Sequence, residues 1–275
     1  MLKDILNKAK KEKRAIGQFN FSTLEQLRGI LRASSEAETP VILGTSEGEL
    51  AYLGLEEVVA LVEISKIKYQ TSRSAPCNSS GIKKVSAFLN LDHGKNLSLI
   101  KKAVDYGFSA VHFDGSGLPL EKNIEYAKKI VEYAHKKNVL VEGELDAIKK
   151  EKITLLSEAE RFVKETGIDS LAVAIGNVHG YDRKVRIDFE RLKEFNKKLA
   201  VFLVLHGGSG IPDASIKKAI KLGIVKININ TELRMAWKQG LVKALRDKEI
   251  KPYNILPKVE QAVQKKVEQK LNLFK

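Results

Sequence analysis

AVFLVLHGGSGIPDASIKKAIKLGIVKININT, residues 200–231, holds one complete structural unit. An apolar, β-rich run (VFLVLH, 201–206) breaks at a glycine-rich turn. A helical segment, ASIKKAIKLG, follows a Pro-Asp start, and a second apolar run (IVKININT, 224–231) closes the unit. Strand, helix and strand in that order imply parallel strands joined by a right-handed crossover. The same unit recurs outward along the chain. The other apolar runs are AIGQFN (15–20), PVILGTS (40–46), VSAFLNLDH (85–93), SAVHFDGS (109–116), VLVEGEL (139–145) and SLAVAIGN (170–177). Between them lie stretches of helical period such as LEQLRGILRASSEAE, NIEYAKKIVEYAHKK and ELRMAWKQGLVKALRD. Eight units predict an α/β fold, a closed (β/α)8 TIM barrel forming a single domain over 1–275. A doubly wound sheet is the alternative, and it accounts less well for polar residues spread over strands three, six and seven.

Each predicted strand begins apolar and ends polar, the ends being Asn20, Ser46–Glu47, Asp92–His93, Asp114–Ser116, Glu142–Glu144, Asn177–His179, His206 and Asn228–Asn230. Barrel enzymes assemble their sites at these C-terminal strand ends. The tail PKVEQAVQKKVEQKLNLF carries Val259, Val263, Val267 and Leu271 at i, i+4 spacing. It predicts a helical extension over about 252–275 that packs on the barrel, with a subunit contact as the alternative.

The formal charge is +14. Basic residues are spread through the helical segments, mostly interleaved with acidic ones as on solvated faces, and no aromatic–basic motif or recognition helix accompanies them. Nucleic acid is therefore not the expected partner, whereas a positive field also concentrates phosphorylated small molecules. A lone cysteine, Cys77, excludes an internal disulfide and fits a reducing compartment. No signal-type segment and no apolar run of membrane-spanning length is present, so a cytoplasmic location is expected.

Three of the five histidines, His93, His179 and His206, are each followed by glycine at the end of an apolar run. Three neutral imidazoles converging from separate strands are a ligand set for catalytic zinc, with a fourth position open. His112 and His135 read as structural or solvated. Asp92 directly precedes His93, so the two side chains leave opposite faces of the pleat, and Asp92 reaches the site only through the turn. Glu142 and Glu144 share a strand face; acid–base work near a metal and an ion pair with a lysine such as Lys226 both fit them. The Gly207-Gly208-Ser209-Gly210 turn, with Asn230 and Thr231 after strand eight, occupies the usual phosphate position of a barrel.

Read together and in order, LDHG, VHFDGSGLPLEKNI, VEGEL, AIGNVHG, LVLHGGSGIP and KININT resemble the class II, metal-dependent ketose-bisphosphate aldolases. The likeness runs from Gly17 to about Leu241. It implies a homodimeric or homotetrameric barrel enzyme with one catalytic Zn2+ that polarises the substrate ketone and stabilises an enediolate. The implied reaction is reversible cleavage of a ketose 1,6-bisphosphate, fructose 1,6-bisphosphate first, to dihydroxyacetone phosphate and glyceraldehyde 3-phosphate. A tagatose-bisphosphate or other ketose-phosphate aldolase, or a non-catalytic aldolase-like subunit, is the alternative.

By the same resemblance His93, His179 and His206 hold the zinc, Asp92 moves the C4-hydroxyl proton and Asn228 positions substrate hydroxyls. Gly180, Gly208, Ser209, Asn230 and Thr231 surround the dihydroxyacetone phosphate group, where a monovalent cation often sits, and Ser46 stands near the other phosphate. Departures from the family pattern fall in four places. The loop DAIKKEKITLLS (146–157) is shortened, leaving Glu151 as the candidate for the C1-side proton. Asn230 replaces an aspartate, and Asn90 stands where many members carry histidine. EIKPYNILP replaces the stretch that supplies a distal-phosphate arginine.

Overall fold

A computed structural model describes residues 1–71, 86–148, 153–181, 185–246 and 248–275. Glu151 and Cys77 lie outside the described residues. The chain starts with α1 (Leu2–Lys11), β1 (Ile16–Asn20), α2 (Leu24–Ala37) and β2 (Val41–Ser46). Two helices, α3 (Glu47–Leu53) and α4 (Leu55–Thr71), precede β3 (Ala87–Gly94). Strict alternation follows: α5 (Leu97–Asp105), β4 (Ala110–Asp114), α6 (Leu120–His135), β5 (Leu140–Glu144), α7 (Leu156–Thr166) and β6 (Ser170–Ala172). Then come α8 (Phe189–Lys198), β7 (Phe202–Leu205), α9 (Asp213–Lys221), β8 (Ile224–Ile229), α10 (Thr231–Ala244) and α11 (Pro252–Phe274). All eight strands pair in parallel in chain order, and β8 returns to β1 to close the barrel.

Local chemistry starts several helices where they begin. Thr23 accepts from Gln26 N–H, Asn96 from Ser98 and Leu99 N–H, and Asp188 from Arg191 N–H. Outward-facing strand residues and the inner helix faces form the main core, with Leu27, Leu43, Val111, Phe162, Phe195 and Leu233 fully sealed. Helix α11 lies across α2 and α10, so it spans the first and last units of the barrel. Its Val259, Val263, Val267 and Leu271 are buried, each burial being worth about 1.5–3 kcal/mol. No helix is long and apolar enough to cross a membrane among the described residues.

The barrel interior divides by height. At the N-terminal end Ile16, Ile42, Ala110, Leu140, Phe202 and Val225 form an apolar layer, closed from below by Leu2, Leu6 and Ala9 of α1. Above it the filling is polar: Gln18, Asn20, Asn90, Asp92, His112, Glu142, Glu144, Lys226 and Asn228 are all buried. Branched apolar side chains usually fill a barrel. Gly44 leaves room for the polar layer, since a Cβ there would lie 2.5 Å from Asn20 Oδ1 and 2.8 Å from Gln18 Nε2. These side chains bond one another across strands, as when Asn90 Nδ2 donates to Gln18 Oε1 at 2.8 Å. Buried polar groups are tolerable only when paired in this way.

Candidate active site

Strand β3 departs from simple alternation at the residue that matters most. His93 has a left-handed backbone (φ 52°), an uncommon conformation outside glycine. The pairing of β3 with β4 shifts register between Leu91 and Gly94. This bulge brings Asp92 and His93 to the same end of the interior, although neighbours on a regular strand face opposite ways. The two side chains thus enter the site together, through the turn.

The rings of His93 and His179 lie 4.8 Å apart, those of His93 and His206 4.8 Å, and those of His179 and His206 5.9 Å. His93 Nδ1 faces Asp114 Oδ2 at 3.1 Å, and His206 Nε2 faces Glu142 Oε1 at 2.7 Å. In neutral rings each of these nitrogens donates its proton to the carboxylate. That leaves the lone pairs of His93 Nε2 and His206 Nδ1 facing each other across 3.1 Å. Two acceptors at that distance repel, and a cation between them relieves the conflict. Carboxylate partners of this kind fix histidine tautomers around bound metals. The donor chemistry therefore suits zinc.

Two donor groups have ligand atoms all within 4.8 Å of one another: Asp92, His93, His112 and His206, and His93, Asp114 and Glu144. His179 stands further out, on an exposed rim loop. His112, read from sequence as structural, forms the fully buried floor. Its Nδ1 accepts from His93 N–H at 3.1 Å, and its Nε2 faces Glu144 Oε2 at 3.4 Å.

Both readings of Glu142 meet in one place. Lys226 Nζ donates to its Oε2 at 2.6 Å, and its other oxygen holds His206. Burial pushes this carboxyl up, but the Lys226 ammonium and His206 outweigh it and hold it well below the usual carboxylate range. Replacing Lys226 by methionine strands that carboxylate. The expected loss is about 3–5 kcal/mol of unfolding free energy, measured by urea denaturation, and a loss under about 1 kcal/mol would refute the pairing's importance.

Asp92 sits 6% exposed between two amides. Asn20 Nδ2 donates to its Oδ2 at 2.9 Å and Asn228 Nδ2 to its Oδ1 at 3.1 Å. Burial raises its pKa, but its hydrogen-bonded setting beside the His112, His93 and His206 imidazoles more than reverses this. Asp92 is thus an oriented, ionised carboxylate. Asn228 Oδ1 is buried with no donor among the described residues.

A cavity of about 400 Å³ opens above these groups, lined by Asp92, His93, His179, His206 and Asn228, with Gly180, Gly207, Ser209, Asn230 and Thr231 on its phosphate-type side. Gly207 has φ 63°, and a Cβ there would lie 2.0 Å from Val178 O, so only glycine suits the turn. Gly208, expected to contact phosphate, is not a lining residue; its N–H is spent on Asn228 O at 3.1 Å. Its neighbours Gly207 and Ser209 line the cavity instead. Glu232, missed in the sequence, braces the turn by accepting from Gly210 N–H (2.9 Å) and from Lys270 of α11 (2.7 Å). Ser46 lies outside this cavity, in an adjoining groove, where it caps α3. A larger cavity of about 620 Å³ opens at the opposite rim, where His135 and Lys3 are both engaged by Asp169.

A closed parallel barrel with carboxylates and imidazoles gathered at its C-terminal strand ends defines a protein of the (β/α)8 enzyme class. The family profile described as "Fructose-bisphosphate aldolase class-II" matches residues 1–275. The chain belongs to this family and is an aldolase, a carbon–carbon lyase. It is 40% identical to a 6-phospho-5-dehydro-2-deoxy-D-gluconate aldolase of Shouchella clausii, over 98% of this chain and 92% of that one. It is 36% identical to a fructose-bisphosphate aldolase of Staphylococcus aureus, over 99% and 96% respectively. The YdjI aldolase of Escherichia coli K12 superposes with a TM-score of 0.85 at 32% identity, covering all of this chain and 96% of that one.

Proposed function

We propose that this chain is a zinc-dependent aldolase that reversibly cleaves a ketose phosphate to dihydroxyacetone phosphate and an aldehyde. The facing lone pairs of His93 and His206 beside the ionised Asp92 carry the reading. The substrates named in the two relatives both bear a phosphate next to the ketone carbon. They differ at the far end, with phosphate in one and carboxylate in the other, and fructose 1,6-bisphosphate is the first substrate to assay.

His93, His206 and His179 would hold the zinc, which when bound would supply Lewis-acid polarisation of the ketone. Asp92, kept in place by Asn20 and Asn228, takes the C4-hydroxyl proton as the C3–C4 bond breaks and the C4 carbonyl forms. Asn228 offers its free Oδ1 to a substrate hydroxyl. The turn at Gly207 and Ser209, with Gly180, Asn230 and Thr231, anchors the phosphate and so holds the reacting carbons in register. The same family likeness supports a homodimer or homotetramer acting in the cytoplasm, with a monovalent cation near the phosphate turn.

Chelation is expected to abolish cleavage in a coupled dihydroxyacetone phosphate assay, and zinc or cobalt to restore it. Borohydride added with substrate should have no effect. Irreversible inactivation by borohydride would indicate a lysine imine and overturn the mechanism.

A further inference from the structure

The glycine-rich turn after β7 is a partition between two cavities. Gly207 and Ser209 line the active site. Gly210, Ile211 and Pro212 line a second cavity of about 670 Å³, shared with Glu232 of α10 and with Lys266 and Lys270 of α11. Neither Glu232 nor Lys270 lines the active-site cavity, so neither is placed to touch a substrate there.

Glu232 ties this partition to both helices. Its Oε1 accepts from Gly210 N–H at 2.9 Å and from Lys270 Nζ at 2.7 Å. Its own N–H donates to Ser209 Oγ at 3.2 Å, a bond that occupies a lone pair of the hydroxyl and does not consume its proton. Lys266 stands 3.6 Å from the other carboxylate oxygen. Glu232 and Lys270 are each 7% exposed. Burial pushes the Glu232 carboxyl up, but Lys270, the Gly210 N–H and Lys266 outweigh it and hold it below its ordinary value.

An anion in this position both helps and hinders a phosphate site. It fixes the Gly210 end of the turn, and with it the neighbouring Ser209. Left unpaired, the same charge would repel a phosphate arriving on the other side of the turn. Lys270 removes that conflict. Packing alone does not call for it, because Val259, Val263, Val267 and Leu271 already seal α11 against the barrel. A buried ion pair also adds little stability over apolar residues of similar size.

Resting on the reading of this turn as the phosphate anchor, we infer that Lys270 of the C-terminal helix is a positioning residue. By pairing with Glu232 it lets that carboxylate hold the turn without repelling the substrate's phosphate. Phosphate affinity is thereby set in part by a helix outside the eight strand–helix units.

The test follows exchange of the carbon-bound proton of dihydroxyacetone phosphate with D2O, without aldehyde, by the zinc-loaded full-length enzyme. Proton NMR over a range of substrate concentrations gives KM and kcat separately. Lys270→Met is expected to raise KM at least about tenfold while kcat stays within about threefold of wild type. Adding Glu232→Gln removes the charge yet keeps an amide oxygen for Gly210 N–H, so the double variant should return KM to within about threefold of wild type. Lys270→Gln, whose amide can still donate to the carboxylate, replaces the single variant if Lys270→Met is insoluble. An unchanged KM in the single variant, a KM that stays raised in the double variant, or a fall in kcat alone overturns the assignment. Ser209→Ala reads the anchor itself and should raise KM at least about fivefold. A raised KM there with an unchanged KM in Lys270→Met removes Lys270 alone; an unchanged KM in both removes the anchor reading and this assignment with it.

Discussion

His206→Ala is expected to eliminate measurable cleavage and to leave the purified protein depleted of zinc. His206 is 1% exposed, its Nε2 is engaged by Glu142, and its Nδ1 is one of the two facing nitrogens. Removing the ring takes away a donor and also leaves Glu142 Oε1 without its imidazole partner, while Lys226 and Ser170 hold the other oxygen. Loss of an outer hydrogen-bond partner around a metal costs ~10–100-fold in affinity, and loss of a ligand should exceed that. Zinc content by atomic absorption and the coupled assay read the two consequences independently. A variant that keeps stoichiometric zinc and full activity removes His206 from the ligand set.

Asp92→Ala separates proton transfer from metal binding. The variant should retain zinc while kcat for cleavage falls by about 10²–10⁴, the usual contribution of a positioned acid or base. KM should change little, because the phosphate turn lies on other strands. The amides of Asn20 and Asn228 lose their common acceptor, so a stability loss of about 1–3 kcal/mol accompanies the change. A kcat within about threefold of wild type would show that another group takes the proton.

The strand–helix alternation was legible because outward strand faces and inner helix faces are made of the same branched apolar residues, and only the strand ends turn polar. The convergence of His93, His179 and His206 follows from that reading once the barrel closes. The pairing of Asp92 with His93 was harder, because the period of a strand separates them and nothing in the residue type announces a left-handed histidine. His112 looked structural when taken alone. Its parity with Asp114 on β4, opposite Glu142 and Glu144 on β5, was the available clue that it faces the interior. Gly207 and Gly208 both read as phosphate-turn residues, because a string of glycines does not reveal which N–H is consumed by Asn228. Contacts between remote strands and helices, such as the 2.9 Å bond from Arg234 Nη2 of α10 to Glu49 Oε1 of α3, depend on ring closure and have no local signature.

The polar filling of the barrel also bears on how the molecule folds. Register pairs Gln18 with Asn228, from opposite ends of the chain, so closure is the most non-local event in the topology and correspondingly slow. Before β8 arrives, Glu142 lacks Lys226 and Asp92 lacks Asn228. A partial barrel would have to bury those carboxylates with part of their partners missing or leave its interior wet, and either choice disfavours it. The chemistry stored inside thus acts against half-formed intermediates and favours cooperative closure of the ring.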